Sequence, residues 1–282
     1  MVLKPLRERR LSTLRVSEWI VLGYFAYVAA AAVVVPVEAA RRRRTGLLII
    51  GIVATLFARS RLSASGSIIR DWLPIGDIIL AYWLPAAIAR PPNEVWEQRF
   101  LALDRRWLRL DVMQYSERLP GVIGAFLELS YLFCYPMIPA GLAALSFAGF
   151  RGDVDRFWTS VLLSVLPCYG LVVWVPLRPP RMLEGAVTTP SRSVIRGLNL
   201  QILSHASIQL NTFPSAHVAG SIATMLAVAS RLPLTGAALG VVAAGITIGS
   251  VLRRYHYAVD ALAGVALGVS GFVVSRYVRF MN

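Results

Sequence analysis

The stretch Thr212-Phe-Pro-Ser-Ala-His-Val-Ala-Gly220 places a proline, a hydroxyl and a histidine where a polar loop gives way to an apolar run. Pro214 followed by Ser215 is typical of a helix start, with the serine as N-cap. A helix N-terminus offers unpaired backbone N–H groups and a partial positive charge, so it attracts anions. The stretch, which includes His217, therefore either only starts a helix or also holds a charged group at the helix end.

A second histidine precedes an aspartate at helical spacing. His256 and Asp260 are four residues apart, which places them on one face of a helix. A carboxylate partner holds an imidazole in one tautomer and makes it a better nucleophile or base. The same spacing is common in surface and cap pairs, so the pair alone leaves both interpretations open.

The order of the apolar runs brings these motifs together. Two runs of about 17 residues, each roughly 25 Å long as a helix, separate His217 from His256. The chain crosses once and returns, so both histidines lie at the same face of the predicted bundle. Arg178 begins the polar segment that leads back to His217. The residues collected at this face are Arg178, Arg181, Ser215, His217, Arg253, Arg254, His256 and Asp260.

This set of side chains suits phosphoryl transfer. Arginine matches phosphate oxygens with bidentate donors, and the helix start adds backbone N–H groups. One histidine with its aspartate is a candidate nucleophile. The other, with an ordinary pKa near neutrality, is a candidate proton donor to a leaving oxygen. The set requires no metal and no cofactor, and the sequence predicts none.

Each motif taken singly also has a structural interpretation. The residues around Pro214 are also typical of a plain helix cap. The stretch "LRPPR" at 177–181 is also typical of a loop with helix-breaking prolines, and "LRRYHY" at 252–257 of an anchor at the membrane interface. The motifs indicate a site only in combination, because all of them project to one side.

Composition places the chain in a membrane. Of its 282 residues, 56% are hydrophobic and 16% charged, whereas soluble domains carry about 25% charged residues. The net charge of +14 is almost all arginine, since Lys4 is the only lysine. We assign that charge to lipid headgroups and topology and not to nucleic acid. Cys134 and Cys168 lie in apolar runs and are predicted to be core residues.

The predicted fold is all-α, a polytopic bundle of about six to eight transmembrane helices. Residues 1–70 are predicted to form an N-terminal membrane extension of one or two spans, and residues 71–282 the catalytic domain. The apolar segments run over 19–37, 46–58, 72–89, 121–148, 154–177, 215–232, 235–252 and 259–278. In the last two of these, glycines at four-residue spacing predict close helix packing.

The segment from Asn93 to Leu119 shows a different pattern. Its apolar residues recur every three to four positions between charges, which predicts an amphipathic helix in the membrane interface. A helix packed on the bundle fits the pattern as well. The polar connection 178–214 is the candidate headgroup pocket, and His205 within it has either a substrate contact or a structural role.

Three motifs together resemble the type-2 phosphatidic acid phosphatase superfamily, whose soluble relatives include vanadium haloperoxidases. "PSAH" at 214–217 resembles its Pro-Ser-Gly-His motif. "LRPPR" resembles the end of its first motif, and "HYAVDALAG" at 256–264 the end of its third. The resemblance implies that His256 takes up the phosphoryl group, Asp260 orients it and His217 protonates the leaving group. It also implies that Arg178 and the Ser215 region hold phosphate oxygens.

The chain departs from the family pattern at two basic positions. Leu171 stands where the first motif usually has lysine, and Gly249-Ser250 stands where the third usually has serine and arginine. Arg181 is the candidate replacement for the lysine, and Arg253 or Arg254 for the arginine. The "RPPR" and "HYxxD" variants are similar to the inositol phosphorylceramide synthase branch, which transfers headgroups.

The function predicted from the sequence is that of a lipid phosphatase or phosphotransferase with a phosphohistidine intermediate. Its expected partners are a lipid phosphate or diphosphate and membrane lipids, and the oligomeric state is left open. We expect a protein of a bacterial cytoplasmic membrane, and the resemblance implies that its site faces the extracytoplasmic side. The rival from another class is a non-catalytic transporter or scaffold built on the same bundle.

Overall fold

The fold is helical, as the sequence predicted. A computed structural model describes residues 14–60, 67–108, 119–183, 193–210, 213–278 and 280, which contain helices and no strand. The helices are α1 (Val16–Val34), α2 (Ala39–Ser60), α3 (Ile68–Trp72), α4 (Pro74–Ile88), α5 (Glu94–Leu108), α6 (Gly121–Leu132), α7 (Cys134–Phe147), α8 (Val154–Leu171), α9 (Pro180–Leu183), α10 (Val194–Ala206), α11 (Ala216–Ala229), α12 (Pro233–Leu252) and α13 (Ala258–Tyr277). A 3₁₀ turn, Arg151–Asp153, precedes α8.

Three helices in the described residues are long and apolar enough to cross a membrane: α1, α12 and α13. Helices α6 and α7 meet the same requirement only as a pair, joined at a bend of 65°. The predicted number of six to eight spans is therefore not confirmed. The apolar helices indicate membrane association.

The bend between α6 and α7 divides what the sequence presented as one apolar segment over 121–148. Phe133 ends α6, and Pro136 follows it inside the first turn of α7. Proline has no N–H to donate to the carbonyl four residues earlier, so the ladder of backbone hydrogen bonds is interrupted at Leu132. The bend lets one short helix pair present residues to the site and still reach the far end of the bundle.

Helix α8 forms the centre of the bundle. Most of its residues are buried, and α1, α4, α11 and α13 pack around it. Cys168 in α8 and Cys134 in α7 are both buried free thiols, which confirms their prediction as core residues. The core of the molecule therefore runs along α8.

Close packing between α11 and α13 depends on glycine. A side-chain carbon at Gly264 would lie 2.7 Å from the carbonyl oxygen of Ser215, and one at Gly268 would lie 2.8 Å from that of Ala219. The predicted close packing is confirmed at Gly264 and Gly268, whereas nothing lies within 4 Å of a carbon added at Gly240. The two helices that begin beside the two histidines are thus held in backbone contact.

Helix directions define two ends of the bundle. Helices α11 and α13 begin, and α8 and α12 end, near His217 and His256, at what we call the histidine end. The opposite end contains the start of α8 and the ends of α11 and α13. There, Asp155 of α8 accepts hydrogen bonds from Val16 N (3.1 Å) and Ser17 N (3.0 Å), which caps the first turn of α1.

The N-terminal helices pack onto the rest of the bundle through charged groups at the opposite end. Arg70 donates to Glu18 from Nε (2.9 Å) and Nη2 (2.6 Å), and both residues are buried. Asp71 accepts hydrogen bonds from Arg15 and Arg151. The domain boundary at residue 70 stays a prediction.

Helix α5 covers the first part of the predicted amphipathic segment, and residues 109–118 lie outside the described part of the chain. Phe100 is buried against the rings of Phe213 and Tyr257. Trp96 and Trp107 are exposed. One face of α5 thus packs on the bundle, while its tryptophans face outward.

Candidate active site

The first histidine lies in the opening turn of α11. Ser215 is the N-cap of this helix, and its hydroxyl accepts a hydrogen bond from Val218 N at 3.4 Å, which confirms the predicted cap. His217 is the second residue of the helix. Its ring meets Tyr131 and Tyr135 edge to face, with centroids 5.6 and 5.7 Å away.

The second histidine precedes α13 and contacts the predicted aspartate. His256 Nδ1 lies 3.4 Å from Asp260 Oδ2, and that oxygen also accepts a hydrogen bond from Tyr257 N at 3.1 Å. The Asp260 side chain is fully buried. A carboxylate held in this way fixes the orientation of the imidazole beside it.

The backbone joins the two motifs. Ser215 N donates to Asp260 O at 3.0 Å, so the cap of α11 is tied to the first turn of α13. The rings of His217 and His256 lie with centroids 6.1 Å apart and planes at 81°. The structure therefore brings together the two histidines and the aspartate that the sequence placed at one face.

Burial keeps His256 neutral. Removal from water, and to a smaller extent the positive charge of Arg181, together lower the pKa of its imidazole to about 3. An imidazole in this state has a free lone pair at neutral pH. It is therefore available as a nucleophile without first losing a proton.

Arg181 is the arginine whose charge acts on His256. Its backbone N–H donates to Arg254 O at 3.1 Å, and its guanidinium lies 5.8 Å from the centroid of the Tyr255 ring. Burial lowers the pKa of this guanidinium. Within the described residues no carboxylate pairs with Arg181, so its charge remains available to an anion.

Arg178, by contrast, is held by a carboxylate of the protein. Glu97 of α5, whose side chain is 1% exposed, accepts hydrogen bonds from Arg178 N (2.7 Å), Nε (3.0 Å) and Nη2 (2.7 Å). Burial alone would raise the pKa of Glu97, but the hydrogen bonds from Arg178 outweigh it and the pKa is lowered. In this structure the guanidinium predicted to hold phosphate is engaged elsewhere.

Arg253 and Arg254 are also paired. Arg254 Nη1 donates to Asp104 Oδ2 at 2.8 Å, while Asp104 Oδ1 accepts from Ala258 N at 2.8 Å at the start of α13. Arg253 Nε donates to Glu128. The two residues therefore help to shape the segment before α13, and their predicted contact with phosphate stays a prediction.

Glu128 belongs to the surroundings of the site, but no sequence motif pointed to it. This fully buried carboxylate of α6 accepts hydrogen bonds from Tyr255 Oη (2.6 Å), Arg196 Nη1 (2.9 Å) and Asn199 Nδ2 (2.7 Å), besides Arg253. It joins α6, α10 and the segment that carries His256. A lone carboxylate inside an apolar run is a signal that would have found it.

Tyr131 and Tyr255 form a second group that the sequence did not reveal. Their rings stack at 4.0 Å between centroids and at 17°. Tyr131 also contacts His217, and Tyr255 lies beneath Arg181. The stack thus connects the surroundings of the two histidines through aromatic contacts.

His205 lies away from this group. It is exposed on α10, with Nδ1 at 2.8 Å from Ser204 Oγ and 2.9 Å from Gln201 O. Residues 184–192 and 211–212 of the predicted headgroup segment lie outside the described residues. A substrate contact of His205 stays a prediction.

Comparison with known proteins agrees with the geometry. The family model described as PAP2 superfamily matches residues 98–274, which is more than half of the chain and contains the two histidines, the aspartate and the four arginines predicted for the site. No curated protein and no solved structure matches the chain. The match does not support a particular subgroup such as the inositol phosphorylceramide synthase branch. The chain belongs to the PAP2 superfamily.

Proposed function

We propose that this protein cleaves a phosphate ester or diphosphate of a membrane lipid through a phosphohistidine at His256. Membership of the PAP2 superfamily supports a phosphatase-like function. The observation that carries the finer proposal is the arrangement of His256, held by Asp260, opposite His217 at the N-terminus of α11. Two histidines placed in this way can serve the entering and the leaving side of one phosphorus atom.

In the first step, Nε2 of neutral His256 attacks phosphorus and the bond from phosphorus to the leaving oxygen breaks. His217, which burial keeps neutral in the free protein, becomes an imidazolium beside the negative charge of the bound phosphate and gives its proton to that oxygen. The product then leaves as an alcohol or a phosphate. His256 now carries the phosphoryl group and a positive ring. Asp260 stabilises that ring through Nδ1–H.

In the second step, a water molecule or an alcohol attacks phosphorus and the bond to His256 breaks. Neutral His217 takes the proton that the attacking oxygen loses, which returns both histidines to their starting states. A water acceptor makes the protein a hydrolase, and a lipid or polyol alcohol makes it a transferase.

Arg181 is the best-placed arginine to bind phosphate oxygens in both steps. It has no described carboxylate partner, and its charge already acts on His256. Backbone N–H groups at the start of α11 would add donors. Arg178 is less available, because two of its guanidinium nitrogens, Nε and Nη2, already donate to Glu97.

The surroundings of the site favour a lipid substrate. Helix α6, which carries Glu128 and Tyr131, also exposes Val122, Ile123 and Phe126. Exposed apolar side chains on a membrane-associated bundle face acyl chains, so a substrate held in the bilayer can reach the site along this helix. We place the site on the extracytoplasmic side of a bacterial cytoplasmic membrane, as the family resemblance suggests.

Phosphate release by the purified protein in detergent tests this function. The panel contains lipid phosphates and diphosphates, with EDTA present and with His256→Ala and His217→Ala as controls. We expect release that persists under chelation and is lost in both variants. Folded protein that releases nothing, even when inositol or lipid alcohols are added as acceptors, would favour a non-catalytic transporter or scaffold.

A further inference from the structure

The opposite end of the bundle contains a cavity that the proposed chemistry does not use. Its volume is about 270 Å³, and it lies where α7, α8, α11 and α13 meet. Pockets that enclose whole small molecules are usually about 300–1,000 Å³. This one is therefore suited to a small group or a lipid headgroup.

Three arginines line this cavity: Arg156 of α8, Arg231 in the turn after α11 and Arg276 of α13. Asp153 is the one acid among the described residues of the lining. It pairs with Arg231 at 2.9 Å and lies 3.8 Å from Arg156 Nη1. The lining is left with an excess of two positive charges.

Two of these arginines have unused hydrogen-bonding capacity. The Nε atom of Arg156 is buried without a hydrogen-bond partner in the described part of the chain. Arg276 is exposed and has no acceptor among the described residues. A buried N–H without an acceptor costs about 1–3 kcal/mol. The buried Nε of Arg156 therefore lacks an acceptor, and the exposed guanidinium of Arg276 is open to the same ligand.

One side of the arginine cluster is already covered. The Phe280 ring lies 5.0 Å from the guanidinium carbon of Arg156. At the base of the cavity are the buried side chains of Leu145 and Phe157. The guanidinium groups themselves stay accessible, since the side chains of Arg156 and Arg231 are 39% and 44% exposed, so a ligand can reach them from outside the bundle.

We propose that this cavity binds a phosphate group with two negative charges, provided by a phosphomonoester lipid headgroup or by free phosphate. The charge of such a group equals the excess of positive charge in the lining. Two of its oxygens can accept hydrogen bonds from two N–H groups of one planar guanidinium, which forms a bidentate pair. The site is separate from the histidine end, since about 15 residues of helix, or roughly 22 Å, lie between Arg156 and the end of α8.

The test compares Arg156→Gln and Arg276→Gln with Arg43→Gln, an exposed arginine of α2 that serves as the matched control for charge. All variants are made in a His256→Ala, Arg181→Gln background, so that no phosphate ester is turned over and the phosphate contact proposed at the histidine end is removed. One arm measures binding of radiolabelled inorganic phosphate to protein in detergent. The other measures phosphatidate retained by protein purified from nanodiscs of phosphatidate and phosphatidylcholine.

We expect each cavity variant to bind roughly tenfold more weakly than the background protein, which is the effect of losing one charge-assisted hydrogen bond. Arg43→Gln should bind as the background does. A loss in both arms would show that free phosphate is sufficient, and a loss in the lipid arm alone would identify a headgroup site. Arg276 has no described carboxylate partner, so its variant should fold normally in gel filtration. Equal binding by all variants in both arms would overturn the proposal.

Discussion

Arg178 and Arg181, both at the histidine end, differ in whether a carboxylate is bound to the side chain. Arg178 shares its charge with Glu97, and Arg181 has no carboxylate beside it in the described residues. The motif resemblance favoured Arg178, because that arginine follows the family spacing. The spacing of a motif cannot show that a carboxylate from α5, far away in the chain, already binds the side chain.

Substitution of Arg181 with glutamine should reduce catalysis without unfolding the protein. Loss of one donor to the transferring phosphoryl group costs on the order of 100- to 1,000-fold in kcat. The unfolding free energy should change by less than about 1 kcal/mol, because the described contact that is lost is the one with the Tyr255 ring. Steady-state kinetics and denaturant unfolding in mixed micelles measure the two effects.

Arg178→Gln is the contrasting variant. It removes the partner of the buried Glu97 carboxylate, so it should lower stability, and Glu97→Gln in the same chain should restore part of that loss. An Arg181→Gln protein as active as the wild type would assign the phosphate to another arginine.

The protonation state of His256 gives a second prediction at this scale. Its pKa of about 3 in the folded state lies below the ordinary value of 6.5. The unfolded protein therefore takes up a proton as the pH falls below 6.5, while the folded protein does not until about pH 3. The titration of this residue therefore leaves the free energy of unfolding unchanged above pH 6.5. As the pH falls from 6.5 to 3, it lowers the free energy of unfolding.

Histidine NMR can follow this directly. The chain has three histidines, and the signal that disappears in His256→Ala identifies the residue. We expect that signal to stay that of a neutral imidazole from pH 8 down to pH 5. A titration midpoint near pH 6.5 would show that the ring is solvated and would contradict its burial.

At the scale of the elements, the site depends on how α11 and α13 meet. Gly264 permits the Ser215 carbonyl to approach α13, and Ser215 N in turn donates to Asp260 O. The four-residue glycine spacing predicted that α13 packs closely, but it did not show which helix lies against it. The Glu128 cluster was not predicted, because its members come from α6, α10 and the turn before α13 and no local pattern relates them.

Gly264→Ala should displace one histidine relative to the other. The added carbon would lie 2.7 Å from the Ser215 oxygen and 3.0 Å from Val218 Cβ, so the helices must move apart. A displacement of this kind reduces kcat on the order of 100-fold. The cost in unfolding free energy should be about 1–3 kcal/mol.

Gly240→Ala in α12 is the matched control, because nothing lies within 4 Å of the added carbon. It should leave turnover unchanged. If Gly264→Ala and Gly240→Ala gave the same kinetics, the close contact would have no part in placing the histidines.

For the whole molecule, the sequence revealed the helical class, the membrane setting and the face where the motifs meet. Those features follow from hydropathy and from the direction of successive helices, both of which are local or additive along the chain. The bend within 121–148 and the partners of the arginines depend on tertiary contacts. Hydropathy could not count the spans either, since only three single helices meet the length and composition requirements in the described residues.

The charged cluster at the opposite end ties α1 into the bundle, and its loss should destabilise the whole molecule. Glu18→Ala removes the carboxylate that accepts two hydrogen bonds from Arg70, whose side chain is fully buried. Removing one member of a buried ion pair costs about 3–5 kcal/mol. Denaturant unfolding in mixed micelles measures this, with the exposed Glu38→Ala as control. Unchanged stability in Glu18→Ala would mean that the cluster does not hold α1 in place.

The most direct test of the central claim is to look for phosphate covalently bound to His256. The purified protein is mixed with a lipid phosphate substrate labelled at phosphorus, in the presence of EDTA, and quenched in alkali, which preserves phosphohistidine. Peptide mass spectrometry then locates the label. We predict label on His256 in the wild-type protein and none in His256→Ala. Substrate turnover without label on His256 at any quench time, with turnover retained in His256→Ala, would contradict the mechanism.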